Sequence, residues 1–340
     1  MNHSGPLLQS PATRLRNLLS YNTTQMIYVA AKLGIADLLA DGPRHADDLA
    51  KAVGAHPRSL YRLLRALTHF GVFAEDEQRC FRLTPIAELL RTDAPGSLRA
   101  FALSYGEDWW WAPWGRLLET VRTGTTAFDR AMDQSFFDYL DAHPQAAAIF
   151  NANMTAMTER DVPEVVDTYD FSGPGLLVDV GGGHGALVSA VLQAGGRASA
   201  ILFDLPAVID GARAQLAAAG LAERCTLIAG SFFDSIPAGG DTYTLKDVIH
   251  DWDDARAVAI LRNCRRAMSA DAKLLLIERV LPVDGEPAIG KIVDVTMMVL
   301  TGGMERTEAE YGALLQQAGF KLQRLIFTHS TASVLEAVPV

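Results

Sequence analysis

Apolar positions follow a helical rhythm through the N-terminal half of the chain. In residues 11–40 apolar side chains return every three or four positions, which predicts helices. Residues 97–169 show the same rhythm and contain a group of tryptophans at positions 109, 110, 111 and 114. Tryptophans at this density are more typical of a core between structural elements than of a recognition surface, although one or two could border a substrate cavity.

A pattern typical of a winged helix lies between these helical stretches. Residues 47–53 and 57–70 predict two helices, and residues 72–74 and 80–83 predict two short strands joined by an acidic turn. In a DNA-binding regulator, the basic residues Arg58, Arg62 and Arg65 of the second helix would face phosphates. Because the turn and the chain as a whole are acidic, we expect a solvated or interface surface here instead.

Strands and helices alternate after a glycine-rich break at residues 173–175. Apolar runs predict strands at residues 176–180, 200–203, 226–229, 242–245 and 273–277, with helices at 186–194, 207–219 and 254–268. A helix at residues 307–318 and two strands at 322–328 and 333–337 follow, and the strands are expected to pair in antiparallel fashion. The alternation predicts an α/β fold with a Rossmann-like, doubly wound and mainly parallel sheet.

This change of rhythm divides the chain into two predicted domains. Residues 1–165 form a helical, winged-helix-like domain for dimerisation and for covering a substrate, and residues 166–340 form the catalytic domain. The apolar stripe of residues 11–40 is wide for one small domain. We therefore expect that stripe to pack on a second copy of the chain, which would make the protein a homodimer.

Composition narrows the possible partners. The chain has 340 residues, 49% of them hydrophobic, and a formal charge of -10, which disfavours nucleic acid and anionic membranes. We find no apolar run of membrane-spanning length and no signal-peptide pattern at the N-terminus. Three widely spaced cysteines suit a reducing compartment, so a cytoplasmic location is expected. No cluster of His and Cys with metal-ligand spacing is visible, so we expect no metal.

A glycine turn directly follows the first predicted strand of the second domain. Gly181 and Gly183, with Ala186, fit the dinucleotide pattern G-x-G-x-x-A, which is a weak signal by itself. Asp179 favours a different ligand, because its carboxylate would repel a pyrophosphate at this turn. S-adenosylmethionine has no phosphate and carries a sulfonium and an ammonium group. The acid beside the glycines therefore predicts S-adenosylmethionine as cofactor, with S-adenosylhomocysteine as product.

The ends of the next two strands offer contacts for the rest of such a cofactor. Asp204 follows the second strand, where its carboxylate could accept hydrogen bonds from both ribose hydroxyls, or could merely cap the helix that follows. Ser231 and Phe232 follow the third strand at the same edge. A phenylalanine there could lie against adenine while Ser231 or its backbone reads the edge of the ring.

One histidine stands out at the end of the fourth strand, where open sheets bind ligands. His250 and Asp251 follow this strand, Glu278 ends the fifth, and Glu305 lies in a later glycine-containing segment. A lone histidine is usually structural. Here, however, the positions of Glu278 and Glu305 allow both carboxylates to reach one imidazole.

These motifs together resemble the class I S-adenosylmethionine-dependent O-methyltransferases of the caffeic acid and plant-type small-molecule group, including its bacterial natural-product branch. The resemblance covers most of the chain and depends on residues 178–185, 203–206, 230–234, 245–252, 277–278 and 302–307. It implies cofactor contacts at the sheet edge, with the methionine part on Gly181 and Gly183, the ribose on Asp204 beside Leu205, adenine on Ser231 and Phe232, and a further contact from Lys246. The plant enzymes have an acid where this chain has Ser231, which makes the adenine contact of that side chain less certain.

The resemblance also implies the catalytic roles. His250 would be the general base, Asp251 would help to position the substrate, and Glu278 and Glu305 would orient the histidine. Met154 matches a methionine on the substrate side of the plant enzymes. The cavity that selects the substrate would be shaped by Trp109, Met154, Met157, Met297 and Met298.

The predicted reaction is in-line transfer of the sulfonium methyl group to an aromatic hydroxyl. Proton transfer from a phenol of pKa about 10 to an ordinary histidine of about 6.5 would be uphill by roughly 5 kcal/mol. Carboxylates at Glu278 and Glu305 would lower that cost, because they favour the imidazolium ion. Close packing of the acceptor against the methyl group would lower the barrier further, because the reacting atoms are then held near each other.

The sequence gives less support to three other functions. An enzyme of the same fold could use the cofactor for decarboxylation or hydroxylation, against which the retained His250, Glu278 and Glu305 count. A nicotinamide-dependent oxidoreductase is disfavoured by Asp179 and by the missing hydride-transfer residues. A ligand-sensing DNA regulator is suggested by the winged-helix pattern alone.

Overall fold

The computed structural model describes residues 10–173, 175–195 and 199–340. Pro174, in the predicted glycine-rich break, and residues 1–9 lie outside the described ranges. By its internal contacts the chain divides into two compact units, Met1–Asp108 and Trp109–Val340.

The first unit is mainly helical. Its helices are α1 (Pro11–Leu18), α2 (Tyr21–Lys32), α3 (Ile35–Leu38), α4 (Ala46–Ala52), α5 (Pro57–His69), α6 (Pro85–Glu88) and α7 (Arg99–Gly106). Its strands are β1 (Arg44–His45), β2 (Phe73–Glu75) and β3 (Cys80–Leu83), which form an antiparallel sheet in the order β1-β3-β2. The winged-helix-like pattern is thus present. Strand β1 was not predicted, because two residues are too short to show an alternating pattern.

Helix α5 illustrates how local sequence sets this unit. Pro57 occupies the first turn, where its missing N–H costs no hydrogen bond, and the side chain of His56 accepts from the N–H of Ser59. Leu60, Leu64 and Leu67 recur at helical spacing and are buried together. Burial of this apolar face, rather than intrinsic helix propensity, holds α5 in place.

Helix α1 has the opposite character. Every one of its residues is exposed. Leu15 and Leu18 are 60% and 77% exposed, and Leu19, directly after the helix, is 68% exposed. The apolar stripe predicted for residues 11–40 therefore includes leucines that do not pack within this chain.

The second unit contains a large sheet with helices on both faces. Its helices are α8 (Asp108–Trp114, beginning at the last residue of the first unit), α9 (Leu117–Thr123), α10 (Ala127–Met132), α11 (Phe136–Ala142), α12 (Pro144–Thr168), α13 (Ala186–Gln193), α14 (Pro206–Ala218), α15 (Asp254–Ala267), α16 (Gly290–Leu300) and α17 (Glu308–Gln317). Its strands are β4 (Leu176–Val180), β5 (Ser199–Asp204), β6 (Cys225–Ala229), β7 (Thr242–Lys246), β8 (Lys273–Glu278), β9 (Val280–Leu281), β10 (Arg306–Thr307), β11 (Phe320–Phe327) and β12 (Ser333–Pro339).

The large sheet has the predicted doubly wound, mainly parallel form. In the described ranges its strand order is β11-β12-β8-β7-β4-β5-β6, with β4 to β8 parallel and the pair β11 and β12 antiparallel. Neighbouring residues of β4 face opposite cores: Val178 packs with residues of α15 and α17, and Leu177 with residues of α12, α13 and α14. Strand β4 lies between β5 and β7, so the carboxyl ends of these three strands meet at one edge of the sheet.

The domain boundary at residue 165 was predicted from the change of hydrophobic pattern in the sequence. The assignment of dimerisation to residues 1–165 and of catalysis to residues 166–340 remains a prediction. By contacts, helix α12 belongs to the second unit because it packs along α13. Helix α16 was not predicted; five of its eleven residues are β-branched, and such residues lower helix propensity. No helix in the described ranges combines the length and the apolarity needed to cross a membrane.

Candidate active site

The glycine turn lies at the carboxyl edge of the sheet, directly after β4. Gly181 and Gly183 have φ angles of 69° and 57°, in the left-handed region that favours glycine. A side chain at Gly181 would come within 2.8 Å of Val248, whereas one at Gly183 would meet no atom within 4 Å. The backbone at Gly183 is therefore open on the side where a ligand could approach.

Asp204 is tied to this turn. One carboxylate oxygen accepts from the backbone N–H of Gly183 at 2.8 Å, and the other accepts from Leu205 at 2.6 Å. The N-cap residue of α14 is Leu205, and no described side chain caps this helix. The Asp204 carboxylate therefore binds the glycine turn and does not cap α14. Burial raises the pKa of the Asp204 carboxyl. Leu205 itself is 43% exposed.

Asp179 carries a buried oxygen that has no hydrogen-bond partner among the described residues. Its Oδ1 accepts from the hydroxyl of Thr244 at 2.6 Å, but its Oδ2 is unpaired. Burial raises the pKa of this carboxyl to about 6, and the nearby Asp204 adds to the increase. Asp179 is buried and Asp204 is half-buried, and two neighbouring acids with raised pKa values form a region that a cation would stabilise. The sulfonium and ammonium groups of S-adenosylmethionine fit this requirement, whereas a pyrophosphate does not.

Phe232 faces the same turn. One of its ring carbons lies 3.7 Å from the position of a side chain built at Gly181, and the hydroxyl of Ser231 accepts from the backbone of Phe233 at 3.2 Å. The residue that holds this loop was not predicted from the sequence. The side-chain amide of Asn263, on α15, donates to the carbonyls of Phe232 and Phe233 at 2.7 and 2.9 Å. No local pattern pointed to Asn263, because its partners lie on a distant loop.

Lys246 ends β7 and is buried, and its ammonium group pairs with the neighbouring Asp247. Asp247 has a φ angle of 51° and also accepts from the guanidinium of Arg279 at 2.7 Å. Although burial alone would raise it, these two cations hold the pKa of Asp247 well below its usual range. Neither Asp247 nor Arg279 was predicted as a site residue, although a basic residue directly after the apolar run of β8 was an available signal.

His250 stands in a short 3-10 turn, Ile249–Asp251, directly beyond β7. Its Nδ1 is 2.8 Å from Oε1 of Glu305 and 3.9 Å from Oε2 of Glu278, and its Nε2 is 3.8 Å from Oδ1 of Asp251. The other oxygen of Glu278 accepts from the backbone N–H groups of Val248 and Ile249 at 3.1 and 2.8 Å. The structure thus brings all four predicted catalytic side chains to one place.

The electrostatics of this cluster favour a protonated imidazole. Burial by itself would lower the pKa of His250, but the carboxylates of Glu305, Glu278 and Asp251 raise it to about 10. Burial also raises the pKa of the Glu278 and Asp251 carboxyls. At neutral pH the cluster therefore binds more protons than the same groups would bind in water. The imidazole of His250 carries one of these protons, because carboxylates lie on both sides of it.

Asp247, His250 and Glu278 also place three potential metal ligands within 4.8 Å of one another. Both oxygens of Asp247 are engaged, one with Lys246 and one with Arg279. A metal ion would have to displace these cations. The expectation of a reaction without metal remains a prediction.

The predicted substrate residues lie on three helices. Met154 and Met157 are half-buried on α12, and Thr155 between them is 3.3 Å from His184 in the glycine turn. Met297 is buried and Met298 half-buried on α16, whose Asp294 accepts from the backbone of Glu305 at 2.9 Å. Trp109, on α8, is buried and packs near Phe136. Helices α12 and α16 thus touch the glycine turn and the His250 cluster respectively, and contact between the substrate residues remains a prediction.

Comparison with protein families gives two matches. Residues 114–321 match the model of an O-methyltransferase domain, and residues 15–93 match an O-methyltransferase dimerisation domain. The chain is 45% identical to phenazine O-methyltransferase PhzM of Lysobacter antibioticus, over 96% of this chain and 95% of that protein. It is 40% identical to the mitomycin biosynthesis 6-O-methyltransferase of Streptomyces lavendulae, over 88% and 85%. It is 34% identical to phenazine-1-carboxylate N-methyltransferase of Pseudomonas aeruginosa, over 92% and 93%.

Solved structures show the same architecture. The crystal structure of LaPhzM superposes with a TM-score of 0.94 at 45% identity, covering 97% of this chain and 99% of that one. The O-methyltransferase NcsB1 from neocarzinostatin biosynthesis, in complex with S-adenosylmethionine and 2-hydroxy-5-methyl naphthoic acid, superposes with a TM-score of 0.84 at 36% identity, covering 96% and 98%.

Proposed function

This chain belongs to the O-methyltransferase family whose members carry a dimerisation domain, and we propose that it transfers the methyl group of S-adenosylmethionine to a phenolic hydroxyl of an aromatic natural-product intermediate, with His250 as general base. At the coarser level the chain is a methyltransferase of the kind found in bacterial natural-product pathways, where its relatives methylate oxygen or nitrogen. The acceptor atom and the base are the proposal.

The observation that carries the proposal is one imidazole with carboxylates on both sides, at the sheet edge next to the region around Asp179 and Asp204, which we call the acidic crevice. Glu305 binds Nδ1 at 2.8 Å, which orients the ring and leaves Nε2 as the nitrogen available to a substrate hydroxyl. Asp251, 3.8 Å from Nε2, lies close enough to help hold that hydroxyl. The arrangement follows the logic of a triad, in which an acid orients the histidine that moves the proton.

The energetics of proton transfer support the same role. A phenol has a pKa of about 10, and the carboxylates raise the pKa of His250 to about the same value. Transfer from phenol to imidazole within the bound pair is then close to isoenergetic, whereas an ordinary histidine would face roughly 5 kcal/mol. The proton that His250 holds at neutral pH must leave first. We therefore expect turnover to rise with pH above 7, and a cation in the crevice would move this rise to lower pH.

S-adenosylmethionine would supply an electrophilic methyl group on a positively charged sulfur. On this proposal Asp179, Gly181 and Gly183 receive the methionine part, and Asp204 receives the ribose. Phe232 and Ser231 would meet the adenine. Lys246 pairs with Asp247 and would thereby neutralise one of the negative charges near the crevice. The raised pKa values of Asp179 and Asp204 support the assignment of a cationic donor.

Transfer to an aromatic nitrogen is the second candidate. It is favoured by the relatives named as N-methyltransferases, among them the 8-amino-8-demethylriboflavin N,N-dimethyltransferase of Streptomyces davaonensis, which is 37% identical over 91% of this chain and 91% of that protein. A nitrogen with a free lone pair, whether in an amine or in a ring, needs no base for attack. Replacement of His250 would then affect a phenol far more than a nitrogen acceptor.

The assembly and location follow the same proposal. The match to a dimerisation domain supports a homodimer, and the exposed leucines of α1 offer an apolar surface for the partner. The thiols of Cys80, Cys225 and Cys264 are free. Free thiols are compatible with the cytoplasmic location that we propose.

The test is a methylation assay with labelled S-adenosylmethionine, a panel of phenols and a panel of aromatic amines. We expect His250→Ala to lower kcat for a phenol by about 10²- to 10⁴-fold, the usual contribution of a general base, while donor affinity stays unchanged. His329→Ala, an exposed histidine, is the matched control. A phenol methylated at the parental rate by His250→Ala would contradict the general-base role. Activity confined to the amines would replace the phenolic acceptor by a nitrogen.

A further inference from the structure

A segment from Gly302 to Thr307 clamps the backbone of the His250 turn. A side chain built at Gly303 would lie 2.1 Å from the carbonyl oxygen of His250, so only glycine allows the two backbones to approach this closely. The next residue, Met304, donates its backbone N–H to the same carbonyl at 2.9 Å. The clamp therefore begins with direct backbone contact.

Arg306 completes the clamp from the interior. Its side chain is only 1% exposed, which is unusual for a guanidinium. Nη1 donates to the carbonyl of Ile249 at 3.2 Å, and Nη2 donates to the carbonyl of Trp252 at 2.9 Å. These two carbonyls lie on either side of His250. The planar fork of arginine reaches the two carbonyls from two nitrogens at a fixed spacing, whereas an ammonium group donates all its hydrogen bonds from one atom.

The remaining contacts of Arg306 indicate what this arrangement achieves. Nε and Nη2 both bond Oδ1 of Asp254, and Nη1 also bonds the carbonyl of Met304. Asp254 has a side chain that is 66% exposed, so this ion pair adds little stability, while burial of the guanidinium is costly. Because burial of Arg306 costs stability, its presence is better explained by the positions that it gives to the backbone carbonyls of Ile249 and Trp252.

Glu305 lies between Met304 and Arg306 in the sequence, and its carboxylate binds His250. We propose that Arg306 is a positioning residue for methyl transfer: by fixing the carbonyls on both sides of His250, it holds the imidazole against the Glu305 carboxylate. This inference rests on the proposed role of His250 as the base. In the part of the chain that the structure describes, no hydrogen bond of Arg306 goes to the glycine turn, Asp204 or Phe232, so we expect donor binding to be retained without it.

The decisive variants are Arg306→Met and Arg306→Lys, with Arg262→Met as control. Arg262 is an exposed arginine of α15 that makes one hydrogen bond to a backbone carbonyl. We expect Arg306→Met to lower kcat for a phenol by about 10- to 100-fold, because a shift of the order of 1 Å in a catalytic group has that effect. The dissociation constant of S-adenosylhomocysteine should stay within twofold of the parent. Arg262→Met should change neither quantity.

Two further measurements separate positioning from general damage. In nitrogen-detected NMR of the histidine rings, Arg306→Met should shift the titration of His250 towards that of an ordinary histidine, and Arg262→Met should not. A small cavity of about 100 Å³ is lined by Asp254, Met304 and Arg306 among others. Guanidinium at low millimolar concentration should therefore restore part of the kcat of Arg306→Ala, and ammonium at the same concentration should not.

Each outcome bears on one of the two proposals. Parental kcat and parental histidine titration in Arg306→Met would overturn the positioning role, even if His250→Ala is inactive. An active His250→Ala would instead overturn the proposed base, whatever Arg306 does. If Arg306→Met does not fold, Arg306→Lys decides, because lysine keeps the positive charge but has one nitrogen in place of the two that bind the carbonyls. We expect it to lose at least tenfold in kcat, and a parental kcat would overturn the inference.

Discussion

Binding of the methyl donor should weaken as the pH falls from 8 to 5. Asp179 is 1% exposed, one of its oxygens has no partner, and burial raises its pKa to about 6. At pH 5 the donor-free carboxyl is therefore mainly protonated. A donor cation prefers the ionised carboxylate, so binding at that pH must expel a proton, and the measured affinity falls.

The size of the effect follows from the pKa. An aspartate has an ordinary pKa of about 3.9. If the donor restores that value from about 6, the coupling is about two pKa units, or about 3 kcal/mol. At pH 5 about nine in ten donor-free sites carry the extra proton, so binding should be about tenfold weaker than at pH 8. The raised pKa of Asp204 acts in the same direction.

Isothermal titration calorimetry in buffers of different ionisation enthalpy measures both the affinity and the protons released. S-adenosylhomocysteine, which lacks the sulfonium charge, should show a smaller change between pH 5 and 8 than S-adenosylmethionine. Asp179→Asn should flatten the pH dependence, whereas Asp210→Asn, an exposed acid on α14, should leave it intact. Equal affinities at pH 5 and 8, with no proton release, would refute the acidic crevice as the donor site.

Three further predictions concern other parts of the molecule. Glu305→Gln removes the carboxylate nearest His250 and should lower the pKa of its imidazole from about 10 by at least one unit, as followed by histidine NMR. Gly303→Ala should lower the melting temperature and kcat together, because the added methyl group meets backbone at 2.1 Å. Leu18→Asp, together with Leu19→Asp, should convert the homodimer to monomers in light scattering, and an unchanged mass would remove α1 from the interface.

The regular part of the fold could be predicted because its signals are local. Strand β4 has the predicted bounds, β6, β7 and β8 differ from prediction by one residue at one end, and β5 differs by one residue at each end. Local signals also placed three site residues at one edge of the sheet. His250 follows a strand, Glu278 ends a strand, and Glu305 lies in a glycine-containing segment. The distances bring both acids to the same nitrogen of His250.

The supporting residues could not be predicted for a physical reason. Asn263, Arg279 and Arg306 act through contacts with backbone or side chains that are distant in sequence, and such contacts have no period or spacing. A buried arginine looks in the sequence like any surface arginine. Its role becomes visible only when its exposure and its partners are known: Arg306 is buried and binds backbone carbonyls around His250, whereas Arg262 is exposed.

Three buried carboxylate oxygens in the described residues lack a hydrogen-bond partner: Oδ2 of Asp179, Oε2 of Glu278 and Oε2 of Glu305. An unpaired buried acceptor costs about 1 to 3 kcal/mol, so the fold retains them against its own stability. They lie on β4, at the end of β8 and in the clamp, around the carboxyl edge of the parallel strands. A cationic donor would offset this negative surplus, whereas a dinucleotide would add charge of the same sign. The unpaired oxygens are thus the structural reason to prefer a sulfonium donor over a nicotinamide cofactor.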